Sequence, residues 1–352
     1  MADADVLVIG AGLAGLVMGH YLNRAGLHPL LVDRAPALGH SWRSRWNSLR
    51  LFTPARHNRL ADLLFPGDPE AYPGKDAVAD YLQDFARHQS LTPATGTAIT
   101  DLHGRLGAFT ATTATGRQLR ARSVVVATGA FGTPFLPDWA ARDGRGPRQL
   151  HAKNYRTPAS VPGQEVLAVG GGNTGVQIAL ELAATGKRVH LSTGRPRRHL
   201  PQRLGGKDMF WWLTRTGAMS APAGSVPGKW LRAHDPIIGT DRAALTGVNI
   251  RTRPRATGLQ GGIVGFADGT RYTPEVIVWA TGYRHADRWI RIPAALDPTG
   301  VLHAPEGVSP VAGLYTIGRS WQRNRGSALL GFVSTDAAPL AQTILTGLAK
   351  AP

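Results

Sequence analysis

Two stretches of this chain repeat one design. Residues 6–15 read "VLVIGAGLAG" and residues 166–175 read "VLAVGGGNTG". Each is a short apolar run fit for a buried strand, then Gly-x-Gly-x-x-Gly, then the opening of a helix. The first helix pattern carries Leu13, Leu16, Val17 and Leu22 and closes at Gly26. The second carries Val176, Ile178, Leu180 and Leu182 and closes at Gly186. A further strand pattern follows each, "HPLLVD" (28–33) and "RVHLS" (188–192). A strand, glycine turn, helix and second strand form a dinucleotide-binding unit. The first glycine allows the tight turn, the second lets backbone approach a pyrophosphate, and the third lets helix pack on strand.

The repetition continues beyond the turns. In the first half "TAITDL", "FTATTATGRQLRARS" and "VVVATGA" read as a β-meander, and in the second "VNIRTR", "GIVGFADGTRYTP" and "VIVWATGY" do the same. Both meanders end in Ala-Thr-Gly. The fold expected is therefore α/β, with two Rossmann-like dinucleotide-binding domains of the glutathione-reductase-like flavoprotein plan, each with a β-meander insertion. The expected division is 1–155 for the first domain, 156–283 for the second, and 284–352 as a return to the first.

The residue ending the second strand of each unit meets the adenosine ribose. Twenty-three positions beyond Gly10 stands Asp33, an acid able to accept from a free ribose 2′-hydroxyl; the same count from Gly170 gives Thr193, followed by Arg195, Arg197 and Arg198. A carboxylate repels a 2′-phosphate and a guanidinium binds one. The first site thus suits FAD or NAD and the second NADP. A chain holding both suits a flavoprotein that takes hydride from NADPH.

Composition limits the alternatives. The chain has no cysteine, which removes disulfide exchange, thiolate metal sites and iron–sulfur ligation. No metal is expected. The net charge of +17 is carried mostly by arginine, scattered along the chain without a nucleic-acid-binding motif, so no nucleic-acid partner is expected. No apolar run is long enough to span a bilayer, and "MADADVLVIG" enters a strand at once without room for a secretory signal. The expectation is a soluble, cytoplasmic protein with no membrane partner.

Longer motifs carry a family resemblance. "GAGLAG", "GHSWRSRWNSLRLFTPAR" (39–56), "FPGDPEAYPGKDAVADYL" (65–82), "ATGAFGTPFLP" (127–137), "HAKNYR" (151–156), "VGGGNTG" (169–175), "VIVWATGY" (276–283) and "GLYTIGRSWQRNRGSALLGFV" (313–333) occur in order. In these the chain resembles class B flavin-dependent monooxygenases, the FMO-like group with its bacterial and YUCCA-type members. His151 and Tyr155 fit part of that group's identifying pattern, with Gly146 one residue out of register.

The resemblance implies FAD on Gly10, Gly12, Leu13, Ala14, Gly15, Asp33 and Arg34. It adds Ser41, Trp42, Arg43, Thr53, Ile99, Thr128, Gly129, Gly318 and Gln322 around the flavin. It implies NADPH (NADP⁺) on Gly170, Gly172, Asn173, Thr174, Gly175, Thr193, Arg195, Thr281 and Gly282. The implied reaction uses O2 and a small-molecule substrate: reduced flavin forms a C4a-hydroperoxide that passes one oxygen to an amine, a sulfide or a 2-oxo acid. Gln322 and Asn324 are the only side chains singled out as catalytic candidates. An NADPH-dependent FAD reductase of the ferredoxin or quinone type, and a non-catalytic NADPH-binding flavoprotein, remain open alternatives. The segment "KDMFWWLTRTGAM" (207–219) is left among three roles: a roof over the substrate channel, a core helix, or the contact of a homodimer.

Overall fold

The computed structural model describes residues 2–140, 146–195, 197–239 and 250–350. Two sheets organise it, the first mixed and the second wholly parallel. In the first, strands Ala4–Ile9, Pro29–Val32, Gln118–Val126 and Leu314–Thr316 run parallel, with Ala4–Ile9 between Pro29–Val32 and Gln118–Val126. In the second, Ile250–Arg253, Arg188–Ser192, Glu165–Val169, Val276–Trp279 and Arg148–His151 lie side by side in that order. Strands buried on both faces read as continuous apolar runs. Val6, Leu7 and Val8 are accordingly buried, and so are Val166, Leu167 and Ala168.

The two glycine turns lead into helices of equal length, Leu13–Arg24 and Asn173–Ala184, each 12 residues. The first packs with Lys75–His88 and Ser334–Ala349 over one face of the first sheet, placing Leu16, Val17 and Leu22 beside Leu82, Phe85, Leu340 and Ile344. The second covers its sheet through Val176, Ile178, Ala179 and Leu182.

The meanders differ from each other and from expectation. In the first domain, "QLRARS" and "VVV" form one strand, Gln118–Val126. Its early residues pair antiparallel with Ala108–Thr113, while Val124–Val126 pair parallel with Leu314–Thr316. In the second domain Ile250–Arg253 joins the parallel sheet rather than the meander, because its register with Val189–Ser192 extends that sheet by one strand. The meander sheet comprises Ala256–Gln260, Ile263–Phe266 and Arg271–Tyr272. Val248 and Asn249, expected to open this strand, lie outside the described residues.

One domain boundary also moves. Residues 148–151, placed in the first domain by a division at 155, pair with Val276–Trp279 in the second sheet. The chain crosses earlier, at Thr133–Pro134, and this segment pairs antiparallel with Tyr283–Arg284 where the chain crosses back. The two crossings thus form a single ribbon, tied further by Phe135 N–H to the Gly282 carbonyl at 2.9 Å and by the Thr281 hydroxyl to the Phe135 carbonyl. Beyond the ribbon the backbone of Leu102 bonds to Trp289 and Arg291, returning the chain to the first domain.

Candidate functional site: two glycine cradles and a cleft at the second

The first cradle follows from three glycines doing different steric work. Gly10 has φ +109°, and a Cβ there would lie 2.5 Å from the Ala127 carbonyl oxygen. A Cβ on Gly15 would lie 1.8 Å from the Gly10 oxygen, so the helix rests directly on the turn. Gly12, which precedes the helix, has nothing within 4 Å of its Cβ position. That open side is where a ligand can touch backbone, at the positive end of the helix. Leu13 and Ala14 begin the helix, and Gly318 (φ +82°) crosses so near that a Cβ on it would lie 2.5 Å from the Ala14 Cβ. Asp33 sits at the rim. Its carboxylate accepts from the N–H of Ala11 at 2.7 Å and of Ala35 at 2.8 Å, with Arg34 exposed beside it. Thr128 is exposed at the mouth, next to Gly129 at φ +71°.

The second cradle repeats these relations. Gly170 has φ +131°, and its Cβ would lie 2.2 Å from the Ala280 oxygen; on Gly175 it would lie 1.9 Å from the Gly170 oxygen. Gly172 is open, as Gly12 is. Ala127 and Ala280, the alanines of the two Ala-Thr-Gly endings, therefore back the two turns in the same way. The difference lies at the rim. Thr193 replaces the acid and lies against Gly171, 2.9 Å from the Cβ position there. Asn173 opens the helix ahead of Thr174, and its Oδ1 is buried without a partner. A buried acceptor left unpaired costs about 1–3 kcal/mol, and a bound ligand donating to it would remove that cost.

A cleft of about 580 Å³ opens from this turn, lined by Gly170–Gly172, Gly194, Ala280–Gly282 and three arginines, Arg195, Arg197 and Arg255. No acid lines it. Arg255 is the functional candidate that sequence reasoning missed. The buried Ser192 hydroxyl donates to the Pro254 carbonyl at 2.8 Å and accepts from the Ala256 N–H at 2.9 Å. Arg255 is thus held from both sides, its guanidinium 3.2–3.4 Å from the Cβ position of Gly194. The only signal in the sequence was a second cluster of arginines, "RTRPR" (251–255).

Other expected site residues have partners within the protein. Arg43 pairs with Asp76 and Asp80 of the Lys75–His88 helix. Trp42 packs on the first core and Ser41 is exposed. Thr53 donates to Asn58 Oδ1 at 2.7 Å, and the Asn58 amide in turn donates to the carbonyls of Thr53 and Pro54. The pair staples a turn. Ile99 begins a meander strand and packs into the core on the other face of the first sheet.

Both catalytic candidates have hydrogen-bond partners within the protein. Gln322 donates to the Thr316 carbonyl at 2.8 Å and accepts from the Arg319 N–H at 3.2 Å. Asn324 caps the turn Arg325–Ala328, accepting from Gly326 N–H while Ser327 answers from the other side. Both hold the last segment's shape. Arg319 is likewise spent, bonded to the buried Asp287 at 2.6 Å and to the Leu302 carbonyl.

The 207–219 segment lies between the domains. Asp208 is fully buried and caps helix Met209–Arg215 through the Trp211 N–H. It also takes Arg56 and His57 from the first domain. Burial pushes the Asp208 carboxyl up, yet these donors outweigh it and hold the group below the usual carboxylate range. Phe210 stacks on Phe52 with ring centroids 5.7 Å apart and meets Phe332 at 6.3 Å. Of the three roles left open for the segment, Met209 and Phe210 take the core one, at 5% and 0% exposure, in a cluster joining the two domains.

Two glycine turns of the same geometry, in two domains joined through one crossing ribbon, define a two-domain flavoprotein fold. The chain belongs to the pyridine nucleotide-disulphide oxidoreductase family, whose model matches residues 7–203, and within it to the FMO-like flavoproteins. It is similar to an uncharacterized CzcO-like oxidoreductase of Geobacillus kaustophilus, 38% identical over 343 residues covering 97% of this chain and 98% of that one. It is also similar to the indole-3-pyruvate monooxygenase YUCCA1 of Oryza sativa subsp. japonica, 27% identical over 96% of this chain and 90% of that one. Among solved structures, a doubly substituted flavin monooxygenase from Stenotrophomonas maltophilia superposes with a TM-score of 0.80 at 25% identity, covering 98% of this chain and 99% of that one.

Proposed function

We propose that the protein is an NADPH-dependent flavin monooxygenase, with FAD on the first cradle and NADPH on the second. The observation that carries the pairing is the contrast between the two rims. Asp33 stands on one side; Thr193 with Arg195, Arg197 and Arg255 stands on the other. The protein has no cysteine to exchange with a disulfide, so the disulfide chemistry in the family's name is not open to it. The monooxygenases among its relatives support oxygen transfer instead.

Bound FAD supplies the redox chemistry, taking two electrons from NADPH and delivering them to O2. The net change is NADPH, a proton, O2 and substrate going to NADP⁺, water and the monooxygenated substrate. The chain's own residues bind, orient and keep water out. The open backbone at Gly12 and Gly172 receives the pyrophosphates, and Asp33 accepts from the ribose hydroxyls of the first nucleotide. The three arginines hold the 2′-phosphate of the second, and the Asn173 amide meets the nucleotide at the start of the helix. The cluster of Phe52, Phe210 and Phe332 excludes water between the domains, which oxygen transfer requires if peroxide is not to be lost. Amines, sulfides and 2-oxo acids are the substrate classes to screen. Isotopically heavy O2 tests the reading: one heavy atom in the product for each NADPH consumed supports it, and NADPH consumption that yields only heavy peroxide across all three classes rejects it.

A further inference from the structure

The second domain sends residues 199–239 outside its parallel sheet as short strands and two helices, Met209–Arg215 and Val226–Ala233. One side of this excursion is buried through Phe210 and Met219. Its exposed surface carries several large apolar side chains. Val226 is 83% exposed, Leu204 55%, Trp230 53% and Trp212 36%. Val226 and Trp230 are one helical turn apart and share a face. Trp212 lies edge-on to Trp211 and donates its indole N–H to the Leu204 carbonyl, so these three form a second patch.

Exposed cations lie on or next to both helices that carry the tryptophans. Lys207 stands 5.8 Å from the Trp211 ring, Arg215 ends the same helix, and Lys229 and Arg232 flank Trp230; all four are exposed. The two acids of the excursion are spent internally, Asp208 on Arg56 and His57, and Asp235 on Arg325. The surface therefore combines large amphipathic rings with positive charge that the excursion's own acids do not balance.

We propose that this excursion docks on an anionic lipid bilayer, with Trp212, Trp230 and Val226 seated at headgroup depth and the four cations on the lipid charges. Tryptophan is the side chain that best suits the interface between water and hydrocarbon, and basic residues around an apolar face select anionic lipid. No helix among the described residues is long and apolar enough to cross a membrane, and surface docking needs none. A second copy of the chain is disfavoured because a two-fold contact would set this basic patch against itself. Nucleic acid accounts for the cations and stacked rings but leaves Val226 and Leu204 without a role. The inference stands independently of the oxygenase reading.

The test uses the full flavin-loaded protein and vesicles of phosphatidylcholine with or without phosphatidylglycerol. Co-sedimentation is expected with the anionic vesicles alone, together with quenching of tryptophan fluorescence by brominated lipid. Trp212→Ser with Trp230→Ser, and separately Lys229→Glu with Arg232→Glu, should each lower partitioning at least tenfold. Unchanged flavin content and NADPH oxidation in these variants would show that they are folded. The proposal is overturned by no binding to anionic vesicles, or by binding that the tryptophan changes leave intact. It is also overturned by a doubling of solution mass that Trp230→Ser abolishes, or by tighter binding to single-stranded nucleic acid than to vesicles.

Discussion

Removing the Arg255 guanidinium should separate NADPH from NADH. The side chain reaches the second cradle from a different loop than Arg195 and Arg197, and Ser192 fixes its backbone on both sides. A hydrogen bond to a charged group contributes about 1.5–3 kcal/mol. Arg255 is exposed and shares its target with two other cations, so the low end applies, about 1.5 kcal/mol, or roughly tenfold in affinity. Arg255→Ala should therefore raise the KM and Kd for NADPH about tenfold, leave those for NADH unchanged, and leave kcat at saturating NADPH nearly intact. Ser192→Ala should produce a smaller shift in the same direction, since it frees the turn without removing the charge. Equal losses with NADPH and NADH in Arg255→Ala would refute the reasoning, because they would mean the arginine supports the fold of the cleft and does not read the phosphate. An unchanged NADPH constant would refute it equally.

Three further outcomes follow from the packing. Gly175→Ala should leave flavin bound yet abolish NADPH binding, measured by calorimetry on the holoprotein, because its Cβ would fall 1.9 Å from the Gly170 oxygen while the first cradle is untouched. Phe210→Ala removes a fully buried ring from the cluster joining the domains; about 3–5 kcal/mol of stability should be lost, visible in denaturant unfolding, with more peroxide released per NADPH. Burial foremost, and the nearby charges of Arg253 and Arg251, push the His190 imidazole down to about 4. An unfolded histidine takes its proton near 6.5, so between those values the unfolded chain binds more protons. Stability should fall as pH drops from about 6.5 towards 4, and His190→Gln should flatten that part of the profile.

The glycine turns were legible because only glycine satisfies their geometry. Gly10 and Gly170 need a positive φ against a neighbouring carbonyl, and Gly15 and Gly175 tolerate no Cβ at all, so the spacing alone located both cradles. Asp33 and Thr193 were legible for the related reason that a strand of fixed length delivers them to the rim. Arg255 was not, because its position depends on Ile250–Arg253 lying beside Arg188–Ser192, a pairing between segments far apart in sequence. The sheet membership of residues 148–151 was hidden in the same way: four residues, "RQLH", carry too short a pattern to announce a parallel edge strand.

The internal partners of polar residues were hidden for a different reason. Arg43, Gln322 and Asn324 belong to types that bind ligands, and nothing in their own neighbourhood of sequence reveals that Asp80, Thr316 and Gly326 already engage them. Buried polar groups must find partners, and in a chain this rich in arginine many of those partners are internal. The aromatic segment 207–219 was ambiguous because its burial is decided by contacts across the domain boundary, Phe52 from one side and Phe332 from another.

The central claim is that reduced flavin in this protein is used to activate O2 for transfer to a substrate. Its most direct test is anaerobic reduction of the flavin-loaded protein with NADPH, followed by rapid mixing with oxygenated buffer while absorbance is recorded. A transient absorbing in the near ultraviolet, persisting before oxidised flavin returns and decaying faster with a true substrate, is the predicted result. Immediate return to oxidised flavin with one peroxide released per flavin would contradict the account and assign the protein to electron transfer.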